Sequence, residues 1–199
     1  MNKTCTEPAL IAVWVSMADH FLDTESRQDL PLTALCCVQA GLSPAQAREI
    51  WQHEVSPAVG FNLFSVVGEW AGWDRDWLIE RIARARSSGW RRAGAWGRLR
   101  WPMPMTGGQW QAIERCIEFL QALPSEDARC RAAADLARLA RHLFDFCAKD
   151  LNTLEAEERQ RLRQLYPDPF NALLTSALTR AERREAAARV QRALSECAR

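Results

Sequence analysis

Residues 81–113 read RIARARSSGWRRAGAWGRLRWPMPMTGGQWQAI, and this stretch decides how the chain is divided. Its first residues continue a helical spacing of apolar side chains, and from Ser88 to Gly108 that period fails. Five glycines, two prolines and the alternation Trp96-Gly97-Arg98-Leu99-Arg100-Trp101 predict a long loop or a short β-hairpin there. The same stretch carries seven arginines and no acidic residue, with Trp90, Trp96, Trp101 and Trp110 set among and just beyond them. The eighty residues before it carry eleven carboxylates against four basic side chains, so a net charge of +1 conceals an acidic first part and a basic middle. A split of this kind concerns partners and docking surfaces rather than a reaction.

Both flanks read as helix after helix. Before the break, apolar spacing predicts helices over Ala9–Leu22 and over Leu32–Gln39, the second stopped by Gly41. Ser43 as N-cap, with Pro44 at the first helical position, starts a helix to about Glu54, which Pro57 ends. Asn62–Trp70 is a further helix broken by Gly72. Asp74 then caps Arg75–Ser87, where Trp77, Leu78, Ile82 and Ala85 share a helical spacing. After the break come Trp110–Leu123, with Ile113, Ile117 and Leu120 on one side, and a long helix capped by Ser125 that runs to about Asp150. Its apolar stripe is Ala133, Leu136, Ala137, Ala140, Leu143, Phe144 and Cys147. A short helix from Thr153, another over Phe170–Leu178, and a last one opened by the capping box Thr179 and Glu182 complete the chain. The expectation is a mainly α protein of about ten helices in two packed helical lobes. Residues 1–87 form an acidic N-terminal lobe, 88–108 a basic Trp- and Arg-rich connector, and 109–199 the C-terminal lobe.

A hydrophobic content of 48% with 26% charged residues is ordinary globular composition, which excludes wholesale disorder. Nine tryptophans against one tyrosine is the outlier, and Trp anchors both cores and interfaces. Arginine outnumbers lysine 24 to 2, which suits forked pairing with carboxylates or phosphates. Seven cysteines at positions 5, 36, 37, 116, 130, 147 and 197 are odd in number and scattered, unlike a disulfide framework. The apolar run Ala9–Val15 is too short for a signal or a membrane span, and Asp19 follows it. A reduced cytoplasmic setting, with no membrane association, is expected.

Four constellations carry chemistry. Asp19, His20, Asp23, Thr24 and Glu25 cluster at the end of the first helix. Carboxylates and an imidazole there could hold a divalent metal or do acid–base work, but no second ligand set completes a sphere. A solvated or partner-facing acidic patch is the better reading, so no metal and no cofactor are expected. Leu32–Glu54 has the outline of a helix-turn-helix, yet Arg48 faces Glu49 and Glu54, a poor balance for lying among phosphates, and an ordinary αα-hairpin fits better. The Arg/Trp segment could track nucleic acid while stacking bases, fit an acidic protein groove, or dock on the chain's own acidic first half. Cys36, Cys116 or Cys147 with His20, His53 or His142 could form a nucleophilic pair in space. No nucleophile elbow, phosphate loop or Cys-x-x-Cys motif supports one.

The runs Ala18-Asp19-His20-Phe21-Leu22-Asp23-Thr24-Glu25, Asn62-Leu63 and Gly68-Glu69-Trp70-Ala71-Gly72-Trp73, with Trp77-Leu78 and Arg81-Ile82, resemble a bacterial domain family of unknown function over residues 9–86. The resemblance implies a small, soluble, helical bacterial domain and brings no catalytic residues.

These readings converge on a non-enzymatic cytoplasmic protein-binding protein. Its most concrete form is a bacterial immunity protein that neutralises a cognate secreted toxin by occlusion. The acidic set Asp19, Asp23, Glu25 and Asp29 is the preferred partner-binding surface. The basic and aromatic set Arg91, Arg92, Trp96, Arg98, Arg100 and Trp101 is the second choice. A nucleic-acid-associated regulator acting through residues 81–110, and an enzyme with an acidic site around His20, are the alternatives. Complementary charge and abundant Trp also allow a homodimer.

Overall fold

The computed structural model describes residues 7–22, 29–60, 73–87, 103–144 and 156–176. Among these the chain is mainly helical, with no strand. In chain order the helices are α1 (Glu7–Ala18), α2 (Leu30–Gln39), α3 (Pro44–Ile50), α4 (Ser56–Val59), α5 (Arg75–Ser87), α6 (Met103–Ala122), α7 (Glu126–Phe144) and α8 (Ala156–Leu165). A 3-10 turn, Asp19–Phe21, extends α1, a π turn, Trp51–Val55, joins α3 to α4, and residues 167–176 form a further helical run. The helices expected over Asn62–Trp70 and from Thr179 onward lie outside the described residues, as does most of the connector.

Helix ends follow local chemistry. Ser43 Oγ accepts the Gln46 N–H (3.3 Å) while Gln46 Oε1 accepts the Ser43 N–H (2.9 Å), a reciprocal cap that starts α3. Asp74 Oδ1 accepts the Trp77 N–H at 2.7 Å to start α5, and Ser125 Oγ accepts the Ala128 N–H at 3.2 Å to start α7. After α2, Gly41 adopts φ 71°, which lets its N–H reach the Val38 carbonyl and the Leu42 N–H reach the Cys37 carbonyl, each at 3.0 Å. This pairing satisfies carbonyls that the helix end would otherwise leave orphaned, and it needs a residue without Cβ.

Two expectations are corrected. Pro57 does not end the helical path. The preceding turn widens so that the Ser56 N–H bonds the Trp51 carbonyl five residues back, and the chain enters α4 with proline in its first turn. A proline ring clashes with the carbonyl four residues back in a regular α-helix, and a widened turn relieves that clash. The apolar stripe Ala47, Ile50, Trp51, Val55, Ala58 and Val59 therefore stays buried across the proline. Nor is the segment up to Gly108 all loop or hairpin. From Met103 it is already α6, with Pro104 in the first turn, where a missing N–H costs nothing, and Gly107-Gly108 within the helix. Residue 108 faces the 167–176 run, 3.6 Å from Ser176 Oγ to an added Cβ.

The core is built around α2, which packs against α1, α6 and α7. Leu30, Ala34, Cys37 and Val38 are buried on it, and its small residues let the longer helices approach. From α6 come Trp110, Ala112, Ile113, Cys116, Ile117 and Leu120; from α7 come Ala133, Leu136, Leu139 and Ala140. These side chains and those of α1, the π turn and α5 form one hydrophobic cluster that spans both sides of residues 88–108. Two hydrogen bonds tie the end of α2 to the same partners: Gln39 Nε2 donates to Glu126 Oε1 (2.6 Å), and Gln121 Nε2 donates to the Leu42 carbonyl (2.8 Å). Cys36, Cys37, Cys116 and Cys130 are free thiols. Among the described residues no helix is long and apolar enough to cross a membrane.

Leu78 on α5 and Leu136 on α7 are both fully buried in this cluster. Leu78→Ala and Leu136→Ala will each lower stability by about 2–5 kcal/mol in urea denaturation. Both will move one common transition, because the two residues belong to one core.

Candidate functional site

Three groups of side chains stand out around α1, which packs against both α2 and α5. The first is the acidic edge. Asp19, in the turn after α1, and Asp29, at the start of α2, are both half-buried. Burial first, and then the negative charge of Asp29, hold the Asp19 carboxyl above the ordinary carboxylate range. Burial raises Asp29 as well, opposed by the guanidinium of Arg141 on α7. The structure thus gathers Asp19, Asp29 and Arg141, while Asp23 and Glu25 lie outside the described residues. Among the described residues no group of three or more His, Cys, Asp or Glu is placed to hold a metal ion.

The second group is buried and polar. Thr33 Oγ1, fully buried on α2, lies 2.8 Å from His20 Nε2 and 2.7 Å from Ser16 Oγ. Ser16 also hydrogen-bonds the Cys36 thiol. His20 and Cys36, candidates for a nucleophilic pair, are therefore linked through the Thr33 and Ser16 hydroxyls. Burial pushes the Cys36 thiol up, with the Ser16 bond opposing, and burial pushes Cys116 up to about 12. Thiolate is the nucleophilic form, so neither sulfur is primed for attack. His20 instead packs its ring against Trp51 at 5.9 Å between centroids, and Trp51 packs against Phe21 (5.1 Å) and Trp110 (5.9 Å). This is a core arrangement.

The third group is exposed, and the sequence reading missed it. Trp73 Nε1 donates to the Ala18 carbonyl at 3.1 Å, and the Trp73 ring stacks on Trp77 at 5.8 Å and 8°. The Arg81 guanidinium lies 5.2 Å over the same Trp77 ring, fixed by its Nε donating to the Ala58 carbonyl at 2.6 Å. Trp77 is nonetheless 38% exposed. Its helical spacing with Leu78 and Ile82 suggested a packing role, and those two are indeed fully buried, but Trp77 sits at the outer margin of their face. The signal was present as Trp73, Trp77 and Arg81, four residues apart each time, with Trp77 and Arg81 on one face of α5 and Trp73 just before its cap.

The described part of the basic segment is engaged within the chain. Arg84 pairs with Glu80 at 2.6 Å. Arg86 lies 3.7 Å from Glu54 and 5.9 Å over the Trp14 ring, and Trp14 Nε1 donates to Glu54 at 2.9 Å. Glu54, a carboxylate in the apolar stripe of the π turn, is 4% exposed and was also missed. Arg91, Arg92, Trp96, Arg98, Arg100 and Trp101 lie outside the described residues.

A family model matches residues 9–116, more than half of the chain. The chain belongs to the family described as a domain of unknown function, DUF7079. The resemblance read from residues 9–86 is borne out, and the DUF7079 match runs further, through residues 88–108 and into α6. That extent includes α6 residues Trp110, Ile113 and Cys116, which belong to the same buried cluster as α2. No curated protein and no solved structure is significantly similar to the chain.

Two outcomes follow for this DUF7079 chain. The raised Asp19 pKa means that the folded chain holds this proton more tightly than the unfolded one. Its stabilising effect is present at acid pH and is lost as pH rises from the ordinary carboxylate value of about 4 through the raised folded value. Asp19→Asn will therefore be more stable than wild type at pH 7, with the difference shrinking toward pH 4, in urea denaturation at the two pH values. Thr33→Val removes the shared partner of Ser16 and His20 and will cost about 1–3 kcal/mol by the same measurement.

Proposed function

We propose that the chain is a protein-binding protein whose acidic surface faces its partner. In its most concrete form it is a bacterial immunity protein that blocks a secreted toxin by occlusion in the cytoplasm. The observation that carries this reading is the internal use of arginine. Arg81, Arg84 and Arg86, three of the seven in the basic stretch, are committed to the Ala58 carbonyl, Glu80 and Glu54. Basic side chains held by the chain's own acceptors offer less to an outside phosphate, which weighs against the nucleic-acid reading. The acidic edge at Asp19 and Asp29, half-buried and with Arg141 beside Asp29, is the surface we assign to a partner. A toxin that works on nucleic acid presents a basic cleft, and complementary charge speeds and orients such an encounter.

The test is purification of the tagged full chain from its native host, with washes at moderate and high salt, beside an Asp29→Lys variant. One stoichiometric protein is expected to survive high salt and to be depleted with Asp29→Lys. Its toxic activity should be inhibited by the wild-type chain at equimolar ratio. Nucleic acid that washes away with salt, or a captured protein whose activity the chain leaves untouched, would overturn the reading.

A further inference from the structure

The outward side of α1 and α2 carries an inference that deepens, and rests on, the protein-binding reading. We propose that it is the apolar centre of the partner interface. The surface it takes has apolar side chains in the middle and lysines or arginines around them.

Three observations lead there. First, these two helices have no charged face. From Pro8 to Ala18 and from Leu30 to Gln39 there is no charged side chain, in a chain of which 26% is charged. A helix without a polar face is ordinarily covered all round, yet one strip of each stays open. Leu32, Leu35, Cys36 and Gln39 follow at helical spacing along α2 and are exposed or half-buried, Leu32 being 39% exposed. On α1, Ala12 is exposed and Val15 and Ser16 are half-buried. Second, the two strips are neighbours. Ser16 hydrogen-bonds Thr33 and the Cys36 thiol, so the strip of α1 lies beside that of α2 and they form one uncharged surface. Interface centres are depleted in charge in the same way. Third, the ends of this surface are acidic. Asp19 directly follows α1, Asp29 directly precedes α2, and Glu126 is bonded to Gln39 at the far end of α2. Arg141 opposes Asp29. Arg129 lies 3.7 Å from Glu126 but donates to the Leu120 and Leu123 carbonyls, so these rim groups keep a negative excess. Apolar side chains of a partner fit the middle, and its basic side chains fit the rim. The uncharged centre also lets such a contact outlast high salt, which screens the rim alone.

The test places the photo-crosslinking residue p-benzoylphenylalanine at position 32 of the full chain in its native host. The same replacement at Leu165, exposed on α8, serves as control. One protein is expected to crosslink from position 32 and not from 165, through a segment containing lysine or arginine. Once purified, that protein should bind Leu32→Asp and Ala12→Arg at least about 10-fold more weakly than wild type in titration. Ala12→Arg, at an exposed position, keeps the test decisive if Leu32→Asp folds poorly. No crosslink from position 32, equal crosslinking from 165, a crosslinked segment without basic residues, or undiminished binding to either folded variant would overturn the proposal. A crosslinked protein whose activity the chain leaves untouched would uphold this face and sink the immunity reading alone. A toxin that the chain inhibits, yet that binds both variants as it binds wild type, would sink this face and leave the immunity reading standing.

Discussion

The packing of α2 against α1 on one side and against α6 and α7 on another is the constraint from which the rest of the described structure hangs. It is only Leu30–Gln39, too short to be a stable helix by itself, and it persists because most of its surface is covered. Its start places Asp29 near Asp19, and its middle supplies Thr33 to Ser16 and His20. Its end, closed by Gly41, delivers Leu42 to Gln121. The acidic edge, the buried hydroxyl relay and the junction with the longer helices are three consequences of where one short helix is held.

The functional surface follows from what the core does not use. Trp51 and Trp110 are consumed by packing, with rings 5.9 Å apart and almost no exposure. Trp14 is consumed by Glu54 and Arg86. Trp77 alone among the described large aromatics is substantially exposed, and it is braced in place. Of the five described tryptophans, three are thus core residues, and Trp77 is the one left substantially exposed.

What was legible in the residues was local. Ser43-Pro44, Asp74 and Ser125 announce helix starts through side-chain chemistry that acts within three or four residues, and the structure starts helices at each. Gly41 announces a stop for an equally local reason. What was illegible depends on partners far along the chain. The π turn cannot be read from Pro57 alone, because it is the buried stripe on both sides that keeps the path helical. The start of α6 at Met103 overrides two glycines, and tertiary packing outweighs propensities of about 1 kcal/mol each for glycine. The exposure of Trp77 was not legible because helical spacing gives direction around the axis but not where the margin of the buried face falls. The approach of Asp19 to Asp29 leaves no trace in the intervening sequence.

Glu54 invites a different thought. It occupies a place in a stripe of alanine, valine, isoleucine and tryptophan, where an apolar side chain would sit without difficulty. Such stripes are slippery, since one small hydrophobe substitutes for the next when helices shift along one another. A buried carboxylate is not interchangeable. In the native arrangement its partners are Trp14 from α1 and Arg86 from α5, and removing a partner from a buried carboxylate costs about 3–5 kcal/mol. A shift that parted Glu54 from either partner would therefore meet a penalty that an apolar residue in its place would not impose. One acidic residue thereby ties together three segments that are distant in the chain.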